Sequence, residues 1–256
     1  VSIEVRRGDE RFVTRAEGRT TRHSFSFGSH YDPANLGFAA MTALNDEELP
    51  DGTGYPDHAH ADTEIVTWVL DGALRHTDAA GNTGLLLPGD VQRISAGAGI
   101  VHAEVTEPGV RTRFLQTWLR PDESGGAASY AVSRGGTGSD LTEVVGPGGL
   151  GLGVAGARLY VATAAAGEIR LPDAPLLHVF VADGQVEVGA VRLTAGDARR
   201  GEHGAGVLDA NDAARRQDER PGTTLRAGDA ARLADHGEST LRVLEAGPVA
   251  VWAFGT

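Results

Sequence analysis

The chain has no cysteine. Disulfides, thiolate metal sites and a cysteine nucleophile are therefore excluded. It has no lysine either, so every basic residue is arginine. Acidic side chains outnumber basic ones, and the formal net charge is −12. Such a surface repels a phosphate backbone, so direct nucleic-acid binding is not expected. No apolar run approaches the roughly 20 residues of a membrane-spanning helix. Val1 to Ala16 is mixed and charged, without the apolar centre of a signal peptide. The expectation is a cytoplasmic protein with no membrane partner. Helix-period stretches are few: Asn45 to Leu49 reads as one turn, and Asp209 to Arg220 is the best longer candidate.

What is present is strand signal. With 256 residues, 41% of them hydrophobic, the chain can bury a substantial core. Ile65 to Leu70 is β-branched and apolar, and Asp71-Gly72 ends it with turn chemistry. Gly81-Asn82 and Pro88-Gly89-Asp90 mark further turns, and Phe114 to Leu119 reads as another strand. Short strands between glycine turns point to an all-β barrel or sandwich.

The chain also repeats itself. Val179 to Gly184 echoes Thr67 to Gly72, and Gly228 to Arg232 parallels Gly89 to Arg93. Gly196-Asp197 offers a second partner for Gly89-Asp90, so the alignment stays open there. Two copies of one barrel unit explain the pattern. Residues 1–125 are read as the first, 126–155 as a Gly-rich linker and 156–256 as the second.

Two i, i+2 pairs carry chemistry, His58-Ala59-His60 and His102-Ala103-Glu104. Residues two apart on a strand share a face, so each pair can offer two ligands to one ion. Three imidazoles and a carboxylate suit a borderline divalent transition metal. In the second copy the corresponding offsets fall on Arg170 and Pro172, and on Leu241 and Val243 or, by the other pairing, Asp209 and Asn211. At least half the site is missing either way, so that barrel is expected to be metal-free.

The motifs resemble those of the cupins: Gly52, His58-x-His60 and Gly72 follow the first, while Gly89, Ser95-x-Gly97 and His102 approximate the second. His23 to Phe27, Tyr31-Asp32-Pro33, Leu44-Asn45-Asp46, Tyr55 to His60, Glu64 to Asn82 and Gly89 to Glu104 sharpen the likeness to the pirin family. Ala59 departs from the proline usual there. The resemblance is dense over residues 20–120 and thin beyond. It implies an all-β bicupin, two tandem cupin-type β-barrels. It also implies one metal, iron first, held by His58, His60, His102 and Glu104 in the N-terminal barrel. Nickel, copper, manganese and zinc fit the same donors.

The implied activity is quercetin 2,3-dioxygenase-type cleavage of a flavonol by O2. A four-ligand centre of charge near +1 favours an ionised 3-hydroxyl, and Glu104 is the candidate catalytic base. The alternative is a metal- or redox-sensing regulatory protein that acts through a protein partner. A third reading is a cupin enzyme for another oxygenated small molecule.

Other residues receive blander readings. Glu64 sits one residue short of the usual cupin ligand slot and is expected to support the site or pair with a cation. His76 is read as a surface cross-strand residue, and His23 and His30 as structural. His178, His203 and His236 have no partner at ligand spacing. Gln116 is read as a buried, satisfied amide, with a reach into the cavity as the other option. Arg199-Arg200 and Arg215-Arg216 are read as solvated charge.

Overall fold

The computed structural model describes residues 2–135, 137–189 and 222–255. The readings placed on Asp209 to Arg220, Gly196-Asp197, His203 and the two arginine pairs lie outside these residues.

Among the described residues the molecule is built from strands in four sheets. In the N-terminal half a seven-stranded sheet faces a four-stranded one. The larger holds β2 (Phe12–Ala16), β3 (Arg19–His23), β4 (Met41–Leu49), β6 (Glu64–Asp71), β9 (Val91–Ser95), β11 (Thr112–Leu119) and β12 (Ser129–Ser133), in the order β12-β9-β6-β11-β4-β3-β2. The smaller runs β5 (Gly54–His60), β10 (Ile100–Thr106), β7 (Leu74–Asp78), β8 (Thr83–Leu86). Leu49, Val69, Leu74, Leu86 and Phe114 fill the space between them.

The C-terminal half repeats the plan. A six-stranded sheet runs β1 (Ser2–Arg6), β19 (Ala230–Ala234), β16 (Leu176–Val181), β21 (Gly247–Phe254), β14 (Ala157–Ala164), β13 (Thr142–Val145). It packs on β15 (Gly167–Arg170), β20 (Thr240–Glu245), β17 (Gln185–Val188) and β18 (Thr223–Arg226), with Leu177, Val179, Val186, Leu225 and Leu241 in the core between. The all-β tandem architecture expected from the sequence is what the chain adopts.

The two large sheets pack on each other through Leu44, Val66, Trp68, Leu115, Phe180 and Trp252. Their central strands are therefore buried on both faces, which is why β6 reads as a continuous apolar run. On β11 the faces separate cleanly. Phe114 and Gln116 point into the N-terminal barrel, while Leu115 and Leu119 join the inter-sheet core.

Three sequence readings change here. Asn45 to Leu49 is strand, not a helical turn, because its backbone pairs with both β3 and β11. The segment 126–155 is not a bare linker, since it supplies β12 to the first large sheet and β13 to the second. The boundary at residue 125 does not coincide with sheet membership either: β1 pairs with β19, at the edge of the C-terminal sheet. In both cases an exposed sheet edge takes up the nearest extended segment, which satisfies its free backbone groups.

Candidate metal centre

The four-stranded sheet of the N-terminal half sets the site out in rows. On β10, Ile100, His102, Glu104 and Thr106 are buried and Val101 is exposed, the alternation of a one-sided strand. Its register places His102 between His58 and Asp78, and Glu104 between Tyr55 and His76. A bulge lies between these two rows, where one residue of β10, Ala103, opposes two of β5, Pro56 and Asp57. It lets Tyr55 and His58, an odd number apart, serve adjacent inward rows.

The rings of His58 and His102 have centroids 4.4 Å apart, those of His58 and His60 4.8 Å, and those of His60 and His102 5.2 Å. One ring nitrogen from each of the three lies within 4.8 Å of the others, the spacing at which one ion can be held. Glu104 groups equally tightly with His102 and His76. His102 is the residue common to both groups.

Hydrogen bonds set which lone pairs are free. His58 Nδ1 lies 2.8 Å from the Pro56 carbonyl oxygen, which can only accept. Nδ1 therefore carries the proton, and Nε2 of the neutral ring is left as a ligand atom. His102 is 1% exposed, yet neither of its ring nitrogens has a hydrogen-bond partner. A buried imidazole without partners is costly unless something else uses its lone pair. Burial, helped by the neighbouring histidines, lowers the His102 pKa to about 3, and burial beside His58 lowers that of His60 to about 4. Both rings are thus neutral at pH 7, the form that binds metal. The donor set fits a borderline dication.

The opposing sheet clamps Glu104. Gln116, Thr67 and Gln92 are paired across β11, β6 and β9 and present one row toward it. Gln116 Nε2 donates to Glu104 Oε2 at 2.8 Å, and Gln92 Nε2 donates to Oε1. Trp118 Nε1 donates to Gln116 Oε1 at 2.9 Å, which orients the amide with its NH2 toward the carboxylate. Burial raises the Glu104 pKa, and the Gln116 hydrogen bond opposes that rise. Oε1 also accepts from Thr67 Oγ1 at 3.4 Å, while Oε2 accepts from Gln116 and keeps a lone pair to offer.

The inner donors are sealed and the outer ones are reachable. His76, His102 and Glu104 are buried, while His58 and His60 are half-buried. The Trp118 ring meets His60 edge-on at 4.9 Å and Phe27 at 5.2 Å, giving the outer donors aromatic neighbours.

The comparisons agree with this architecture. The pirin family profile matches residues 6–119. A Mycobacterium tuberculosis (H37Rv) protein named "Putative quercetin 2,3-dioxygenase" is 42% identical over 213 residues, 78% of this chain and 86% of that protein. The chain belongs to the pirin family. A pirin-like protein of Caulobacter vibrioides is 39% identical over 198 residues, 73% of this chain and 83% of its own. Among solved structures, the bacterial pirin YhhW of Escherichia coli, in complex with nickel(II), superimposes with a TM-score of 0.80 at 23% identity, covering 100% of both chains. At that identity the superposition speaks for the pirin fold alone.

Several side chains sit elsewhere than expected. His76 is not on the surface: it is 0% exposed, it stacks on Tyr130 at 4.3 Å, and its strand position opposite Glu104 turns it inward. Glu64 faces away from the cluster, as its parity with Val66 and Trp68 requires. It accepts from Ser95 Oγ at 2.7 Å and lines a cleft of about 530 Å³ with Asp122 and Gly153. Gln116 is buried and satisfied, as read, but its partner is Glu104. His23 donates from Nδ1 to Asn45 Oδ1 at 2.9 Å, and His30 stacks on Phe12 at 5.0 Å. In the C-terminal half, Leu241 and Val243 are core residues and Arg170 pairs with Glu238 at 2.5 Å. His178 is buried against Phe25 and Phe38, each at 5.8 Å.

Sequence reasoning missed His76, Gln92, Thr67 and Tyr130. The period-2 run Leu74-x-His76-x-Asp78 was a usable signal for the first. Tyr130 had none, because it lies in the segment read as linker.

Proposed function

We propose that one divalent transition metal is held by His58, His60, His102 and Glu104, and that the protein uses it to cleave quercetin-like flavonols with O2. The observation that carries this reading is the trio of imidazoles, buried or half-buried, whose ring nitrogens converge beside the Trp118 ring. The relatives named for this activity, and the nickel(II) in the Escherichia coli structure, support it. Iron(II) is the first candidate, and nickel, copper, manganese and zinc satisfy the same donors.

Bound there, the metal supplies a positive centre that acidifies an oxygen ligand and carries the redox chemistry with O2. The protein's own groups do the rest. Pro56 holds the His58 ring in its tautomer through the Nδ1–H bond. Gln92 and Gln116 hold the Glu104 carboxylate in place from the opposite sheet. Glu104 takes the proton of the flavonol 3-hydroxyl, a role that its upward-shifted pKa favours. Trp118 and Phe27 offer flat apolar surface to a planar substrate beside His60.

The test is metal content of the purified protein, followed by O2 uptake and carbon monoxide release with a flavonol panel. One ion per chain is expected, with large loss in His58→Ala and His102→Ala. If the metal-loaded protein consumes no O2 with any flavonol, the enzyme reading fails and the regulatory alternative takes its place.

A further inference from the structure

His76 has the hydrogen bonding of a metal ligand rather than of a core histidine. Its Nε2 lies 3.2 Å from Asp78 Oδ2, and both side chains are fully buried. Asp78 also accepts from the Ala80 and Asn82 backbone N–H groups and from Asn82 Nδ2, so it stands as a fixed carboxylate. A carboxylate only accepts, so Nε2 carries the proton and the lone pair is on Nδ1. That Nδ1 is buried and has no partner. A carboxylate behind one ring nitrogen and a free lone pair on the other is the arrangement that orients ligating histidines.

Two further donors lie close to this ring. His76, His102 and Glu104 each place a ligand atom, one ring nitrogen or a carboxylate oxygen, within 4.8 Å of the other two, and all three are buried. The His76 and His102 rings are 5.5 Å apart. Tyr130 stacks on His76 with 9° between the ring planes. The group forms because the register sets His76 directly opposite Glu104, one row along from His102.

We propose that His76, His102 and Glu104 form a second, inner seat for a borderline divalent cation, and that His76 is a ligand there. This rests on the reading that the barrel binds a metal at all. The outer seat is the His58, His60, His102 and Glu104 set proposed above. The two seats share His102 and Glu104, and a neutral imidazole has a single lone pair, so His102 serves one seat at a time and the stoichiometry stays at one ion. Two outer donors, His58 and His60, are half-buried, whereas all three inner donors are buried, so an ion in the inner seat exchanges more slowly.

The test is nickel(II) affinity by competition with a chelating dye, with far-UV circular dichroism confirming the fold. The wild type binds one ion. The His58→Ala/His60→Ala variant, which has lost two outer donors, still binds one ion, more weakly. Adding His76→Ala lowers that residual affinity by more than the roughly 10–100-fold that loss of a ligand's own supporting partner costs. Cobalt(II) spectra of the double variant change when His76 is replaced. If the wild type binds nickel(II) and the folded double variant does not, the inner seat is overturned while the outer site stands. Equal affinity of the double and triple variants also overturns it. A wild type that binds no nickel(II) overturns both seats. Should the triple variant not fold, Asp78→Asn in the double background replaces it. An affinity loss of about 10-fold or more is then expected, and none overturns the proposal.

Discussion

Asp229 does in the C-terminal half what Asp90 does in the N-terminal half. Asp90 accepts from the Leu87 N–H at 3.0 Å, the Gly135 N–H at 2.9 Å and Arg134 Nη1 at 2.6 Å. Asp229 accepts from the Arg226 N–H at 3.1 Å, the Gly8 N–H at 2.7 Å and Arg7 Nη1 at 2.6 Å. In each case the donor Arg-Gly follows the edge strand, β12 or β1, that completes the sheet. Among the described residues, Gly228-Asp229 is the counterpart of Gly89-Asp90.

Asp90→Ala should therefore destabilise the protein by about 1.5–3 kcal/mol, the worth of hydrogen bonds to a charged group. Arg134 is more than half exposed, so its ion pair adds little. Asp229→Ala should cost a similar amount, and Asp90→Asn less than Asp90→Ala. Urea unfolding checks this, and unchanged midpoints would show that the edge strands hold without the aspartates.

Gln116→Leu should weaken metal binding about 10–100-fold, the usual effect of removing a group that supports a ligand. Without the amide, burial pushes the Glu104 carboxyl further toward its protonated form, which cannot bind metal. Chelator competition measures the effect. An unaltered affinity would reduce Gln116 to a space-filling role.

His178 should make the fold acid-sensitive. Burial, reinforced by Arg232, lowers its pKa from about 6.5 to about 3. Between those values the unfolded chain binds a proton that the folded one does not, so stability falls as pH drops below about 6.5. The slope from this residue approaches about 1.4 kcal/mol per pH unit until pH nears 3. His178→Leu should lose less stability than wild type between pH 7 and pH 5. Parallel losses in the two proteins would assign the acid sensitivity to the carboxylates instead.

Glu104→Gln should lower flavonol cleavage by at least the roughly 10²–10⁴-fold that loss of a general base costs. A flavone without the 3-hydroxyl should not turn over, since it has no proton for Glu104 to take. O2 uptake and carbon monoxide release with both compounds measure this. Turnover of the 3-deoxy compound at the flavonol rate would remove Glu104 from that role.

The sequence by itself determined what depends on local spacing. Period-2 placement put His58 with His60 and His102 with Glu104, and glycine turns with β-branched runs made an all-β repeat legible. Tertiary structure decided what depends on which strand lies beside which. His76 became an inward donor because β7 pairs with β10 in the register that sets it against Glu104. Gln92, Thr67 and Gln116 became the Glu104 clamp because three strands distant in sequence align in one row of the facing sheet. Asn45 to Leu49 looks helical alone and is strand because β3 and β11 flank it. Side-chain parity is written into a strand, but register and edge partners are set by long-range backbone pairing and by which apolar faces must be covered.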